Sequence, residues 1–95
     1  MNIADFIPVG KDNAISRIQL VKLTGLSDRI VRDMIALERR NTAILNLQNG
    51  AGYYIPSESD RAEIERYVKQ EEARAKSIFW SLRGAKTALR KCGNG

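Results

Sequence analysis

Hydrophobic positions recur at helical spacing through most of this chain and switch to alternation over one short stretch. At the start, Ile3, Phe6 and Ile7 share one side of a helical turn, but Pro8 and Gly10 stop anything longer than about two turns. Lys11, Asp12 and Asn13 read as a loop. Ser16-Arg17-Ile18-Gln19 then has the S-x-x-Q form of a capping box, which satisfies two exposed backbone donors at a helix start. Ile15, Leu20 and Leu23 give this short helix an apolar face, and Gly25 ends it as a C′ residue. Ser27 caps a second helix from Asp28 to about Arg40, with Asp28 well placed against the positive end of the helix dipole. Its stripe is Ile30, Val31, Met34, Ile35 and Leu37. Arg39 and Arg40 suit the negative end, and Asn41 is set for a left-handed cap.

The period changes at Ala43-Ile44-Leu45-Asn46-Leu47-Gln48, where apolar and polar residues nearly alternate. Asn49-Gly50-Ala51-Gly52 and then Tyr53-Tyr54-Ile55-Pro56 follow, so the pattern predicts a β-hairpin about an Asn-Gly turn. After Pro56 the chain reads as helix. Ser57, Glu58, Ser59 and Asp60 supply caps and acidic residues, and Glu65–Lys69 and Glu72–Lys76 are i, i+4 pairs in the favourable order. From Asp60 to Lys91 such a helix extends on the order of 50 Å at about 1.5 Å per residue. A compact domain of this size has a radius of gyration of only about 13 Å. The helix must therefore protrude, bend near Gly84 or find a partner. The fold class is mainly α with a β-hairpin, divided into residues 1–56 and a long C-terminal helix in residues 57–95.

Composition narrows the chemistry. The 95 residues hold 16 Lys and Arg against 11 Asp and Glu, a formal charge of +5. At 43% hydrophobic residues the chain can bury one core. With no histidine and one cysteine, Cys92, a His-dependent triad, a His/Cys zinc site and a disulfide framework are impossible within one chain. No nucleophile–base pair and no Gly-rich phosphate loop stands out, so the expectation is a non-enzyme without cofactor or metal. The first ten residues lack a basic stretch before an apolar one, and no apolar run nears the roughly 20 residues a membrane span needs. With its lone cysteine, the chain reads as a soluble cytoplasmic protein without a membrane partner. The basic balance suits nucleic acid or another anionic surface.

The segments LTGLSDRIVRDMI, positions 23 to 35, and ILNLQNGAGYYIP, positions 44 to 56, carry a resemblance. They resemble the winged helix-turn-helix DNA-binding domains at the N-termini of bacterial regulators of the DeoR and biotin-repressor kind. In those a T-G-[LV]-S turn precedes an R-x-[VI]-R helix and a G-x-G-Y-x-[LI] wing follows. With the long helical tail, the chain is also similar to small winged-helix proteins carried by prophages. The resemblance spans roughly Ser16 to Pro56. It implies double-stranded DNA binding, with the second helix in the major groove and Ser27, Asp28, Arg29, Arg32, Asp33, Ala36, Arg39 and Arg40 toward DNA. Asn49 and Tyr53 would join them from the wing. Arg29 and Arg32 are the side chains able to contact guanine bidentately or grip phosphate. Asp33 can accept from a cytosine amino group or hold Arg29 at i+4. The implied role is transcription regulation or an accessory task in replication of a mobile element. The rival reading is a winged helix used as a protein-interaction module.

In the tail, Ile64, Val68, Glu71, Ala75, Ile78, Leu82, Ala85 and Leu89 are separated by steps of four and three, the period of a coiled-coil seam. Phe79 and Trp80 lie beside it. A homodimer built on Ile64, Val68, Ala75, Ile78, Phe79, Leu82 and Leu89 is one reading, and a helix folded over its own domain is the other. Ser57 to Glu72 holds six acidic and three basic residues, whereas Ala73 to Lys91 holds six basic residues and no acid. The basic end can meet DNA phosphates or the acidic half of an antiparallel partner.

Overall fold

A computed structural model describes residues 1–93, and its architecture follows from local signals joined by one small core. Asn2 opens a 3-10 turn, Ile3–Phe6, its side-chain oxygen accepting from the Ala4 N–H at 2.9 Å. The turn places Ile3 and Ile7 inside. A second 3-10 turn, Lys11–Asn13, leads to α1, Arg17–Thr24. Both halves of the capping box form: the Gln19 N–H donates to Ser16 Oγ at 3.1 Å, and the Ser16 N–H to Gln19 Oε1 at 2.9 Å. Gly25 ends α1 in the left-handed region, φ 72°, where a side chain would be strained. Two residues on, Ser27 Oγ accepts from the Ile30 N–H at 3.2 Å and starts α2, Asp28–Glu38. This helix ends otherwise than expected. Asn41 does not turn left-handed. The Asn41 and Thr42 N–H groups instead both donate to the Glu38 carbonyl, at 2.9 and 2.8 Å, and tighten the last turn.

The core joins Ile3, Ile7, Leu20, Val31, Ile35, Ile44 and Tyr53, with Phe6, Ile15, Val21, Leu26, Met34 and Ile55 packed on it. Each fully buried aliphatic side chain stabilises by about 1.5–3 kcal/mol. Two parts of the apolar pattern fall outside. Leu23 is 60% exposed, because α1 turns Leu20 and Val21 inward and Leu23 lies roughly 110° around the helix from the midline between them. Ile30 and Leu37 are likewise exposed, flanking the face that buries Val31 and Ile35.

The hairpin is present and short. Its strands β1, Leu45–Asn46, and β2, Tyr53–Tyr54, pair antiparallel with Leu45 opposite Tyr54 and Asn46 opposite Tyr53. Between them the Gly50 N–H donates to the Leu47 carbonyl at 2.8 Å, with Gly50 at φ 72°. The other edge of β2 is also occupied. Ile15 and Tyr53 exchange backbone hydrogen bonds of 2.9 and 2.7 Å, the Ile55 N–H donates to Pro8, and the Gly10 N–H to Ile55. Gly52 lies so close to this edge that a Cβ there would sit 3.2 Å from both Ala14 Cβ and the Ile15 carbonyl oxygen.

Ser57 and Asp60 form a second capping box through the 3-10 turn Glu58–Asp60, which runs into α3, Arg61–Gly93. Asp60 Oδ2 accepts from the Ser57 N–H at 3.0 Å, the Ser57 hydroxyl at 3.1 Å and the Lys11 N–H at 3.3 Å. Lys11 Nζ also reaches Glu63 at 3.3 Å. These contacts carry the first compact unit past the expected limit at Pro56, to Ile64. The second unit begins at Glu65, and its described residues are the rest of α3, unbroken at Gly84. Glu71 pairs there with Arg74 at 3.1 Å. Phe79 and Trp80 meet edge to face, with Lys86 over the first ring at 5.3 Å and Arg83 over the second at 5.0 Å. Among the described residues, no helix is long and apolar enough to cross a membrane.

Two outcomes test this account. Leu20→Ala should lower stability by about 2–5 kcal/mol in urea titrations. Ile18→Ala, on the exposed side of the same helix, should stay within about 0.5 kcal/mol of the parent. The second concerns Asp60, whose carboxyl is held below its ordinary value of 3.8 chiefly by the Ser57 N–H. A lowered carboxyl contributes in full above the ordinary value and loses its contribution as pH falls through the folded one. Asp60→Asn should therefore be less stable than the parent at pH 7, with the gap closing only on acidification below 3.8.

Candidate nucleic-acid interface

The candidate surface is the start of α2 and what the fold sets beside it. Gly25 reverses the chain, Leu26 packs half-buried on the core, and Ser27 caps the helix. Thr24 braces the turn, its hydroxyl donating to the Leu20 carbonyl at 2.7 Å and accepting from the Leu26 N–H at 3.2 Å. Burial of Val31 and Ile35 then turns Asp28, Arg29, Arg32, Asp33 and Ala36 to the exposed side. The first turn of α2 adds the partial positive charge of its unpaired backbone N–H groups.

Asp28 lies between two guanidinium groups. Arg17 Nε donates to its Oδ1 at 2.6 Å, and an Arg32 nitrogen lies 3.9 Å from Oδ2. The Tyr53 hydroxyl and then the Asp28 carboxylate hold the Arg17 guanidinium above its ordinary pKa. One carboxylate thus balances one of two arginines, hydrogen-bonded to Arg17 and within ion-pair distance of Arg32. Among the described residues, no ion pair joins Arg29 to Asp33, so the i, i+4 pair of this helix is Asp28–Arg32. Arg17 has no local signal in the sequence for this role. It is the first residue of α1, eleven positions from Asp28, and only the packing of α1 on α2 brings them together.

Three expected contact residues are engaged within the fold. Tyr53 is buried, because β2 turns its ring into the core. Arg39 is half-buried and binds the hairpin: its Nε donates to the Ile44 carbonyl at 2.9 Å, its terminal nitrogen bonds Asn46 Oδ1, and its guanidinium lies 6.0 Å from the Tyr53 ring centre. Asn49 Oδ1 accepts from the Ala51 N–H at 2.9 Å and shapes the hairpin turn, although the residue is exposed. Arg40 is exposed at the far end of α2, on the rim of an open groove of about 420 Å³ lined by Met1, Ile3, Met34 and Leu37. In the tail, Val68, Ile78, Phe79, Leu82 and Leu89 are exposed, as is Ala75, whereas Ile64 is half-buried.

Among the described residues, no three His, Cys, Asp or Glu side chains group to hold a metal ion, and Cys92 is free and exposed. The chain matches no protein-family model, no curated protein and no solved structure.

The role of Arg39 separates structure from contact. Arg39→Met should destabilise the first unit by about 1–3 kcal/mol, since a carbonyl and an amide lose a charged donor. Arg40→Ala, exposed and outside this network, should leave the denaturation midpoint nearly unchanged.

Proposed function

We propose that the chain binds double-stranded DNA as a winged helix-turn-helix protein, with the first half of α2 in the major groove. The observation that carries this reading is the set of arginines at the start of α2. Arg29 and Arg32 are exposed there, and Arg17 joins Arg32 beside Asp28. A guanidinium donates in a planar fork that suits guanine O6 and N7 or a phosphate. Because Asp28 accepts from Arg17, its carboxylate is screened from phosphates while Arg29 remains available. In this reading α1 crosses the backbone, the hairpin is the wing, and the +5 charge favours encounter with a polyanion. The task is that of a small cytoplasmic regulator, or of an accessory factor in replication of a mobile element. A homodimer joined by α3 would bring two copies of α2 to two half-sites.

Ile30 and Leu37, exposed on α2, favour a second reading, a protein-interaction module that does not bind DNA. The two separate on a DNA or heparin column. Retention that falls steeply with salt follows from counterion release and belongs to the DNA reading.

Selection from a random duplex library supplies the site for a direct test. On that site Arg29→Ala and Arg32→Ala should each weaken binding by about 1–3 kcal/mol per lost base contact, with unfolding midpoints close to the parent's. Parental affinity in both variants would place α2 outside the groove.

A further inference from the structure

We infer that two copies of α3 pair antiparallel in one register, with the twofold axis passing between Lys76 and Ser77. This deepens the self-association proposed above and is independent of DNA binding. Among the described residues, the second compact unit contains no element other than α3, and the seam is open: Val68 is 45%, Ile78 62%, Leu82 43% and Leu89 72% exposed. The occupant that fits this seam is a second copy, for three reasons.

The first is spacing. Positions 68, 71, 75, 78, 82 and 85 are separated by 3, 4, 3, 4 and 3, a series that reads the same in both directions. Reversing one helix therefore sets every seam residue opposite another. The second is size. In that register Ala85 faces the partner's Val68 and Ala75 the partner's Ile78, a small residue against a branched one each time, so the helices can approach closely. Glu71 faces the partner's Leu82. Its head is already held to the helix edge by Arg74 at 3.1 Å, which leaves its aliphatic stem to cover the leucine.

The third reason is charge. An in-register parallel pair sets Glu71 against the partner's Glu71 and lays the two cationic halves side by side. The antiparallel pair lays Arg83, Lys86, Arg90 and Lys91 along the partner's acidic half, and sets Glu65 beside the partner's Lys86 on the seam's flank, twice by symmetry. Phe79 lies on the same flank and becomes covered. Trp80, with Arg83 across its ring at 5.0 Å, lies on the far side of the helix and stays in water.

The test uses the full chain with Cys92→Ser, sedimentation, and a short bismaleimide cross-linker. Positions 65 and 86 lie about 30 Å apart on one helix, so the linker cannot join them within a chain. Glu65→Cys/Lys86→Cys should give a covalent dimer in high yield, and neither single cysteine should. A dimer cross-linked through Lys86→Cys alone is parallel or in another register, and overturns the inference while leaving self-association standing. A dimer that the double variant fails to cross-link overturns the register. A monomer at all micromolar concentrations overturns the inference and self-association together. Independently, Glu65→Lys should weaken the dimer about tenfold, and adding Lys86→Glu should restore it. Failure of the second change to restore it counts against the register.

Discussion

The two backbone hydrogen bonds exchanged by Ile15 and Tyr53 are the constraint on which the first unit depends. A hairpin of two-residue strands has too few ladder bonds to persist in water by itself. Here its second strand is bonded on both edges, by β1 on one side and by Ile15 with the Pro8–Gly10 stretch on the other. The chain entering α1 and the chain leaving the hairpin are thereby joined, and α2 packs one face on the same core through Val31 and Ile35. Arg39 closes the remaining side by fastening the end of α2 to β1. Gly52 belongs to the same constraint, since a Cβ there would be crowded against Ala14 and the Ile15 carbonyl and they would have to give by a few tenths of an ångström.

The start of α2 shows how the same packing arranges charge. Bringing α1 against α2 places Arg17 on Asp28, whose other oxygen lies 3.9 Å from an Arg32 nitrogen. An acidic residue in a surface proposed to meet phosphate thus has an internal partner. Arginines fixed by a carboxylate lose less rotamer freedom when they bind than arginines moving freely in water. The arrangement also explains why Arg29 differs from its neighbours: it lies on the same turn without a carboxylate to hold it.

What was legible in the chain was local. Ser16 with Gln19, Ser27, Gly25, and Ser57 with Asp60 act on backbone groups within a few residues, and each performs the capping that its spacing implies. The hairpin was legible from the change of period at Ala43. Features set by distant packing were not. Leu23 and Ile30 fit an apolar stripe as well as Leu20 and Val31 do, and only the positions of the other elements decide which side of the stripe is covered. Arg39 and Tyr53 have the residue types of contact groups, yet the fold uses one as a clamp and the other as core. Arg17 was missed for the same reason, since its partner is eleven positions away. The tail is the reverse case: its apolar spacing was legible in the sequence, and among the described residues of its unit no other element covers those positions.

The capping box at Ser57 and Asp60 bears on how α3 forms. Starting an isolated helix is unfavourable, because several residues must be fixed before the first hydrogen bond is gained. In this chain the first turn is organised from outside the helix, by Ser57 and by Lys11 on Asp60 and Glu63. Ordering of the first turn of α3 is therefore tied to formation of the first unit, and this offsets part of the cost of starting the helix. The start of the helix is thus anchored by side chains of the first unit.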